Sequence, residues 1–233
     1  MADARAKREF ALADEAATLA LGAWLAQILP KETLKKAASG MQRKAFGAQR
    51  PRKRAEGEVP VQANRSEAAE ANTAQRGDAP AQQLIQHFPK DLSPAAVIYL
   101  EGDLGAGKTT LVRGLLQKLH PGQAVKSPTF TLVEPYVISG LHLYHFDFYR
   151  FNFPEEFLDA GLDEYFAAEG VCLVEWPARA APYLPAPDLC IRLKHAGSGR
   201  LASVEAASER GRRWLASSPA LPAVSSSAPA APS

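Results

Sequence analysis

Apolar and polar positions in this chain follow two periods, separated by a long stretch that follows neither. Between Phe10 and Leu29 the pattern is helical: Leu19, Leu21, Trp24, Leu25 and Ile28 fall on one face, and Asp14-Glu15-Ala16-Ala17-Thr18 offers a helix start. Residues 1–30 are therefore expected to supply an N-terminal helix that packs on a core. From Lys31 to Ser93 the periodicity fades into Ala, Gln, Arg, Glu and Pro, interrupted by the short apolar patch Leu84-Ile85-Gln86-His87-Phe88. This composition predicts a disordered or loosely helical insertion over 31–93. Residues 216–233, rich in Ala, Pro and Ser, predict a disordered tail.

Residues 94–215 carry the period-two and short apolar runs of a folded core. Ala96-Val97-Ile98-Tyr99-Leu100 reads as a strand and Leu111 to Leu119 as the helix after it. Thr131–Val137 and Leu141–Tyr149 flank Ser139-Gly140 and predict a hairpin. Pro154–Leu158 and Asp163–Phe166 read as short helices. Val171-Cys172-Leu173-Val174 is apolar throughout, as suits a central strand covered on both faces. Two later strands, Asp188–Leu193 and Ser203–Ala207, surround a Gly-Ser-Gly turn. The order β-α-β-β-α-β-β-β predicts an α/β fold with a mixed central sheet flanked by helices.

Composition adds few restrictions. The hydrophobic fraction of 46% in 233 residues is enough for one packed domain with extra segments. A net charge of +2 argues neither for nor against a nucleic-acid partner. Gln42-Arg43-Lys44 and Arg50-Pro51-Arg52-Lys53-Arg54 form a basic run that reads as a solvated linker or, alternatively, as an RNA-contacting arm. Cys172 and Cys190 have no metal-ligand spacing and lie in strand-like runs, as expected of reduced thiols in a cytoplasmic protein. No apolar stretch reaches the length of a membrane span, and no leader pattern is seen.

The chemistry concentrates in Gly102-Asp103-Leu104-Gly105-Ala106-Gly107-Lys108-Thr109-Thr110. It matches G-x-x-x-x-G-K-[ST] and lies between a predicted strand and a predicted helix, the context of a P-loop. Successive backbone N–H groups and the helix N-terminus would face the phosphates of a bound nucleotide. Lys108 would reach the β- and γ-phosphates, and the Thr109 hydroxyl would ligate Mg²⁺. Such a loop needs an acid at the end of a neighbouring strand. Glu175 ends an apolar run and is the better match. Asp147, set between aromatics, fits either the metal and water shell or a half-buried structural acid.

Lys126-Ser127-Pro128-Thr129-Phe130-Thr131 stands where a γ-phosphate-sensing segment would, or is a plain ordered turn set by Pro128. His142 and His145 fall on opposite faces of one strand and read as structural. Trp176 packs beside the nucleotide or caps the core. Arg200 is a phosphate or base contact, or an exposed turn residue. A kinase is disfavoured because Arg179 is the only arginine between Arg150 and Arg192, so a multi-arginine lid is missing. No Asn-Lys-x-Asp guanine motif and no Leu-Ser-Gly-Gly-Gln signature occur. A small ATPase acting as a switch within a larger complex fits better.

Four ordered segments sharpen this. The loop Gly102–Thr110, then Val125–Tyr136, Tyr144-His145-Phe146-Asp147-Phe148-Tyr149-Arg150 and Cys172-Leu173-Val174-Glu175-Trp176-Pro177 together resemble the motif set of the TsaE (YjeE) family. The resemblance implies a P-loop NTPase fold and a Mg²⁺-dependent ATP hydrolase. It implies ATP and Mg²⁺ as cofactors, TsaB and TsaD as partners, and tRNA reached indirectly through that complex in the cytoplasm. The product pathway is N6-threonylcarbamoyladenosine beside the tRNA anticodon, with ATP hydrolysis driving or resetting the partner complex. Carried over by motif, Leu104, Gly105, Ala106, Gly107, Lys108, Thr109 and Thr110 bind the nucleotide. Thr109 and Glu175 hold the metal, and Asp147, Glu175 and Lys108 are catalytic. Trp176, Glu15, Gly199 and Arg200 would contact the rest of the ATP. The chain departs from the family pattern in the segment 31–93, since roughly 60 residues intervene there; long loops add little closure entropy.

Overall fold

The computed structural model describes residues 6–29, 94–167 and 170–221. The insertion 31–93 with its basic run and the patch Leu84–Phe88, and the tail beyond Leu221, lie outside the described residues.

The N-terminal segment differs from the expected single helix. Lys7–Leu12 forms strand β1, and Phe10 belongs to it. Helix α1 spans Glu15–Ile28, with Asp14 as its N-cap, the carboxylate accepting from the Ala17 N–H at 2.8 Å. A cap of this kind stabilises the helix by about 1 kcal/mol. Leu21, Trp24, Leu25 and Ile28 are buried, as their spacing predicts, whereas Leu19 is half-buried. β1 eluded the hydrophobic pattern because it is an edge strand whose first residues, Lys7, Arg8 and Glu9, are charged; its pairing with a distant strand holds it.

After the insertion come β2 (Ala96–Glu101), α2 (Lys108–Leu119), β3 (Val133–Ile138) and β4 (Leu141–Asp147). Ser139 and Gly140 both take positive φ, 50° and 82°, the two-residue turn that matches hairpin twist. Two short helices, α3 (Glu156–Asp159) and α4 (Asp163–Ala167), lead to β5 (Val171–Glu175), then β6 (Leu189–Ala196), β7 (Gly199–Ala206) and α5 (Glu209–Ala216). α5 was not anticipated: it is short, and Trp214 and Leu215 are its only large apolar residues. Beyond it, the Pro219 carbonyl accepts from Trp24 Nε1 at 2.8 Å, so the chain stays packed on α1 past residue 216.

The fold is mixed α/β around one seven-stranded sheet in the order β1-β7-β6-β2-β5-β4-β3. The middle four strands run parallel, and both ends are closed by antiparallel partners. Alternation along the inner strands splits the core. Ile98, Leu100, Val171 and Leu173 face α1 and α2, while Val97, Cys172 and Val174 face a cluster built on Phe146, Phe148, Phe157 and Phe166. β5 is buried at every position, as a central parallel strand requires. Cys172 is fully buried and its thiol is pushed well above the usual range by desolvation; it forms no disulfide.

Two features fix the helices against one another and against the sheet. α1 and α2 touch backbone to backbone: a Cβ at Gly22 would lie 2.0 Å from the Leu111 carbonyl oxygen, and one at Gly114 would lie 2.1 Å from that of Leu19. Asp188, ahead of β6, is a buried carboxylate that accepts from the Val97 N–H, the Ser208 hydroxyl and the Arg210 guanidinium, joining β2 to the start of α5.

Candidate functional site

The parallel strands β2, β4 and β5 end at the same edge of the sheet, and the loop from β2 into α2 opens there. The loop needs unusual backbone. Gly102, Gly105 and Gly107 take φ of 142°, 76° and 103°, a region in which side chains are rarely accommodated. Gly107 is the N-cap of α2 and supplies no side-chain cap, so the helix begins with N–H groups that no cap residue satisfies. Such a terminus favours an anion through hydrogen bonds and partial charge.

A cavity of ≈ 510 Å³ sits over this terminus. Its floor is Leu104, Gly105, Gly107, Lys108, Thr109 and Thr110. Lys108 is buried; its Nζ donates to the carbonyls of Gly102 and Asp103, each at 2.9 Å, and stands 4.2 Å from the centre of the Trp176 ring. Desolvation lowers the lysine pKa, and the charges of Glu175, Asp147 and Asp103 oppose that shift. Ala106 is buried beneath the loop and does not line the cavity.

One wall carries the two acids. Thr109 Oγ1 donates to Glu175 Oε1 at 2.8 Å, and both side chains border the cavity. Asp147 Oδ2 accepts from Thr129 Oγ1 at 2.7 Å, and Oδ1 accepts from the Tyr149 N–H at 2.9 Å. Thr129 spends its only hydroxyl proton on Asp147, so the 2.7 Å contact with Ser127 has Ser127 as the donor. The Ser-Pro-Thr segment is thereby tied to the acid wall.

The opposite wall comes from the N-terminal segment and β7. Glu15 and Thr18 of α1 border the cavity with Arg200. Arg200 Nη2 donates to the Gly105 carbonyl at 3.4 Å, and its Nε is buried with no hydrogen-bond partner among the described residues. Gly199, which the sequence reading places among the nucleotide contacts, does not line the cavity. A Cβ there would lie 2.5 Å from the Leu12 carbonyl oxygen, so this glycine lets β7 approach the turn between β1 and α1.

Trp176 has φ 57° and ψ 46°, a left-handed conformation that costs a non-glycine residue about 1–3 kcal/mol. It aims the indole over Lys108 and beside Tyr149, whose ring centre is 5.1 Å away. Thr18, Tyr149 and Arg150 also border the cavity and were not singled out as site residues. Nothing in their local spacing marks them; only the fold brings them there. Among the described residues, no group of three or more His, Cys, Asp or Glu forms a metal cage.

Fold and site together define a mixed α/β protein with an anion-suited glycine loop facing two strand-end acids. The profile described as threonylcarbamoyl adenosine biosynthesis protein TsaE matches residues 74–202. The chain belongs to the TsaE family, the proteins of tRNA threonylcarbamoyladenosine biosynthesis. It is 46% identical over 106 residues to the protein of that name from Haemophilus influenzae, and 49% identical over 104 residues to the one from Bacillus subtilis. Those alignments cover 46% and 45% of this chain and 67% and 65% of the relatives, about two thirds of their length. The crystal structure of YdiB from Bacillus subtilis superposes with a TM-score of 0.53 at 25% identity, covering 91% of this chain and 93% of YdiB.

Proposed function

We propose that the chain is a P-loop NTPase that hydrolyses ATP with Mg²⁺ and works with a TsaB–TsaD pair in forming N6-threonylcarbamoyladenosine in cytoplasmic tRNA. The observation that carries this reading is the Thr109 hydroxyl held on Glu175 Oε1, beside a buried Lys108, at the uncapped start of α2. The donor set suits the proposed cofactors. Its acidic wall is hydroxyl and carboxylate oxygen, the ligand type that Mg²⁺ prefers, and Mg²⁺ takes only one or two protein ligands when phosphates supply others. Among the described residues no helix is long and apolar enough to cross a membrane.

Each residue then has a role. The backbone N–H groups of Gly105 to Thr109 and the Lys108 ammonium would bind the phosphates. Thr109 and Glu175 would hold the metal ion, which when bound supplies charge neutralisation to the phosphates. Asp147, whose two oxygens accept from the Thr129 hydroxyl and the Tyr149 N–H, would orient water. Thr129 links that acid to the Ser-Pro-Thr segment, the element suited to sensing nucleotide. Trp176, Glu15 and Arg200 border the volume left for the nucleoside.

The deciding experiment is ATP hydrolysis titrated with purified TsaB–TsaD. Turnover should be low for the protein alone and rise to a plateau with the partner pair. Full-rate turnover without partners, coupled to phosphorylation of a metabolite, would defeat the proposal. Binding of ATP with no hydrolysis under either condition would reduce the chain to an interaction module.

A further inference from the structure

The acid that receives the Thr109 hydroxyl has a second donor. Glu175 Oε1 also accepts from His145 Nε2 at 2.9 Å. His145 lies two residues before Asp147 on β4, and in the β4–β5 register it stands opposite Leu173, one same-face step from Glu175. All three side chains therefore share the sheet face that carries α2. His145 has no exposed surface, and the Glu175 side chain is 4% exposed. The sequence reading took His145 as structural, and its local pattern gives no other indication.

The other ring nitrogen decides the tautomer. Nδ1 is buried with no hydrogen-bond partner among the described residues. With its hydrogen on Nε2, the ring donates to the carboxylate and leaves only a lone pair unmatched. With a hydrogen on Nδ1, a buried N–H would point at nothing, which is the costlier defect. In the neutral Nδ1–H form a lone pair would also face the carboxylate.

The bond has a consequence for the cavity. Glutamate has three rotatable side-chain bonds, and the Lys108 ammonium is close enough for the two charges to interact. Lys108 nonetheless gives its hydrogen bonds to the Gly102 and Asp103 carbonyls. Two donors on one oxygen of Glu175 keep the carboxylate against Thr109.

We propose that His145 is a positioning residue whose Nε2–H locks the Glu175 carboxylate onto Thr109, so that the pair is preorganised for the divalent cation of a metal–nucleotide complex. This rests on the metal–nucleotide reading given above. Partners that orient a metal-binding carboxylate are typically worth about 10–100-fold in metal affinity or activity.

The test compares wild type with His145→Leu and His145→Gln. Glutamine can return an N–H near the position of Nε2; leucine cannot. ATP binding is measured by calorimetry with excess EDTA and across a Mg²⁺ titration, and kcat and KM are measured with partners present. His145→Leu should keep its EDTA affinity within about two-fold, need about 10–100-fold more Mg²⁺ and lose kcat with little change in KM; His145→Gln should recover most of this. The ¹⁵N spectrum of the metal-free wild type should show a hydrogen on His145 Nε2, a readout that needs neither ligand nor a folded variant. The proposal is overturned if the spectrum shows no hydrogen on Nε2, if His145→Leu keeps the wild-type Mg²⁺ dependence, or if a folded His145→Gln is as impaired as His145→Leu. A wild type that binds ATP with no metal dependence overturns the functional reading, and the proposal with it. A wild type with that dependence and an indifferent His145→Leu overturns the proposal alone.

Discussion

Asp147 and Glu175 are register partners, side by side at the ends of the parallel strands β4 and β5. One carboxylate takes the Thr129 hydroxyl and the other takes the Thr109 hydroxyl. The two acids therefore divide the work of the wall: one is tied to the Ser-Pro-Thr segment and the other to the glycine loop.

Lys108 is the positive charge of the cavity floor. Its replacement by alanine removes charge-assisted hydrogen bonds worth about 1.5–3 kcal/mol, so ATP should bind about 10- to 100-fold more weakly. Isothermal titration checks this, and an unchanged affinity would remove Lys108 from the nucleotide site.

Glu175→Ala should separate binding from turnover. Thr109 loses its acceptor, while the loop amides and Lys108 remain. Hydrolysis with partners present should fall by about 10–100-fold or more, and ATP affinity should change far less. Equal losses in both would mean that Glu175 supports the fold of the site and does not hold a metal ion.

Gly22→Ala and Gly114→Ala should each force α1 away from α2, since the nearest atoms to the added Cβ are backbone. Overpacking against backbone should cost at least about 3 kcal/mol, lowering Tm by roughly 6–12 °C. Because α1 brings Glu15 and Thr18 to the cavity and α2 brings Thr109, ATP affinity should fall along with Tm. A thermal melt within a degree or two of wild type would contradict the close approach.

Glu205 gives an acid-side prediction. The hydrogen bond from Arg192 is the largest cause holding its carboxyl below its ordinary 4.5. With the folded value depressed, the unfolded chain takes up the proton first as pH falls. The stabilisation is complete above about pH 4.5 and is lost as pH drops through the lower folded value. Glu205→Gln should therefore melt below wild type at neutral pH, with the gap closing as pH falls through the lowered folded value. A gap independent of pH would show that the ion pair contributes nothing.

The elements legible in the sequence were those with local signals. Ser139-Gly140 marked the β3–β4 hairpin, the apolar run of β5 marked a covered strand, and Asp14 marked the start of α1. β1 and α5 were not legible. β1 is charged at its start and depends on pairing with β7, nearly 200 residues later in the chain. α5 is anchored by Ser208 and Arg210 converging on Asp188, a contact that no window of sequence contains.

The site divides in the same way. Glycines at fixed intervals before Lys108 and Thr109 specify a tight loop that opens an uncapped helix, because its backbone geometry and helix start are built from contiguous residues. That much the sequence determined by itself. Only the tertiary structure decided which acid receives Thr109, that His145 stands behind Glu175, that Thr18, Tyr149 and Arg150 reach the cavity, and that Gly199 serves β1 packing. Those relations depend on strand register and on how closely α1 approaches α2. Both are set by burial and backbone pairing between segments far apart in the chain, where local spacing carries no information.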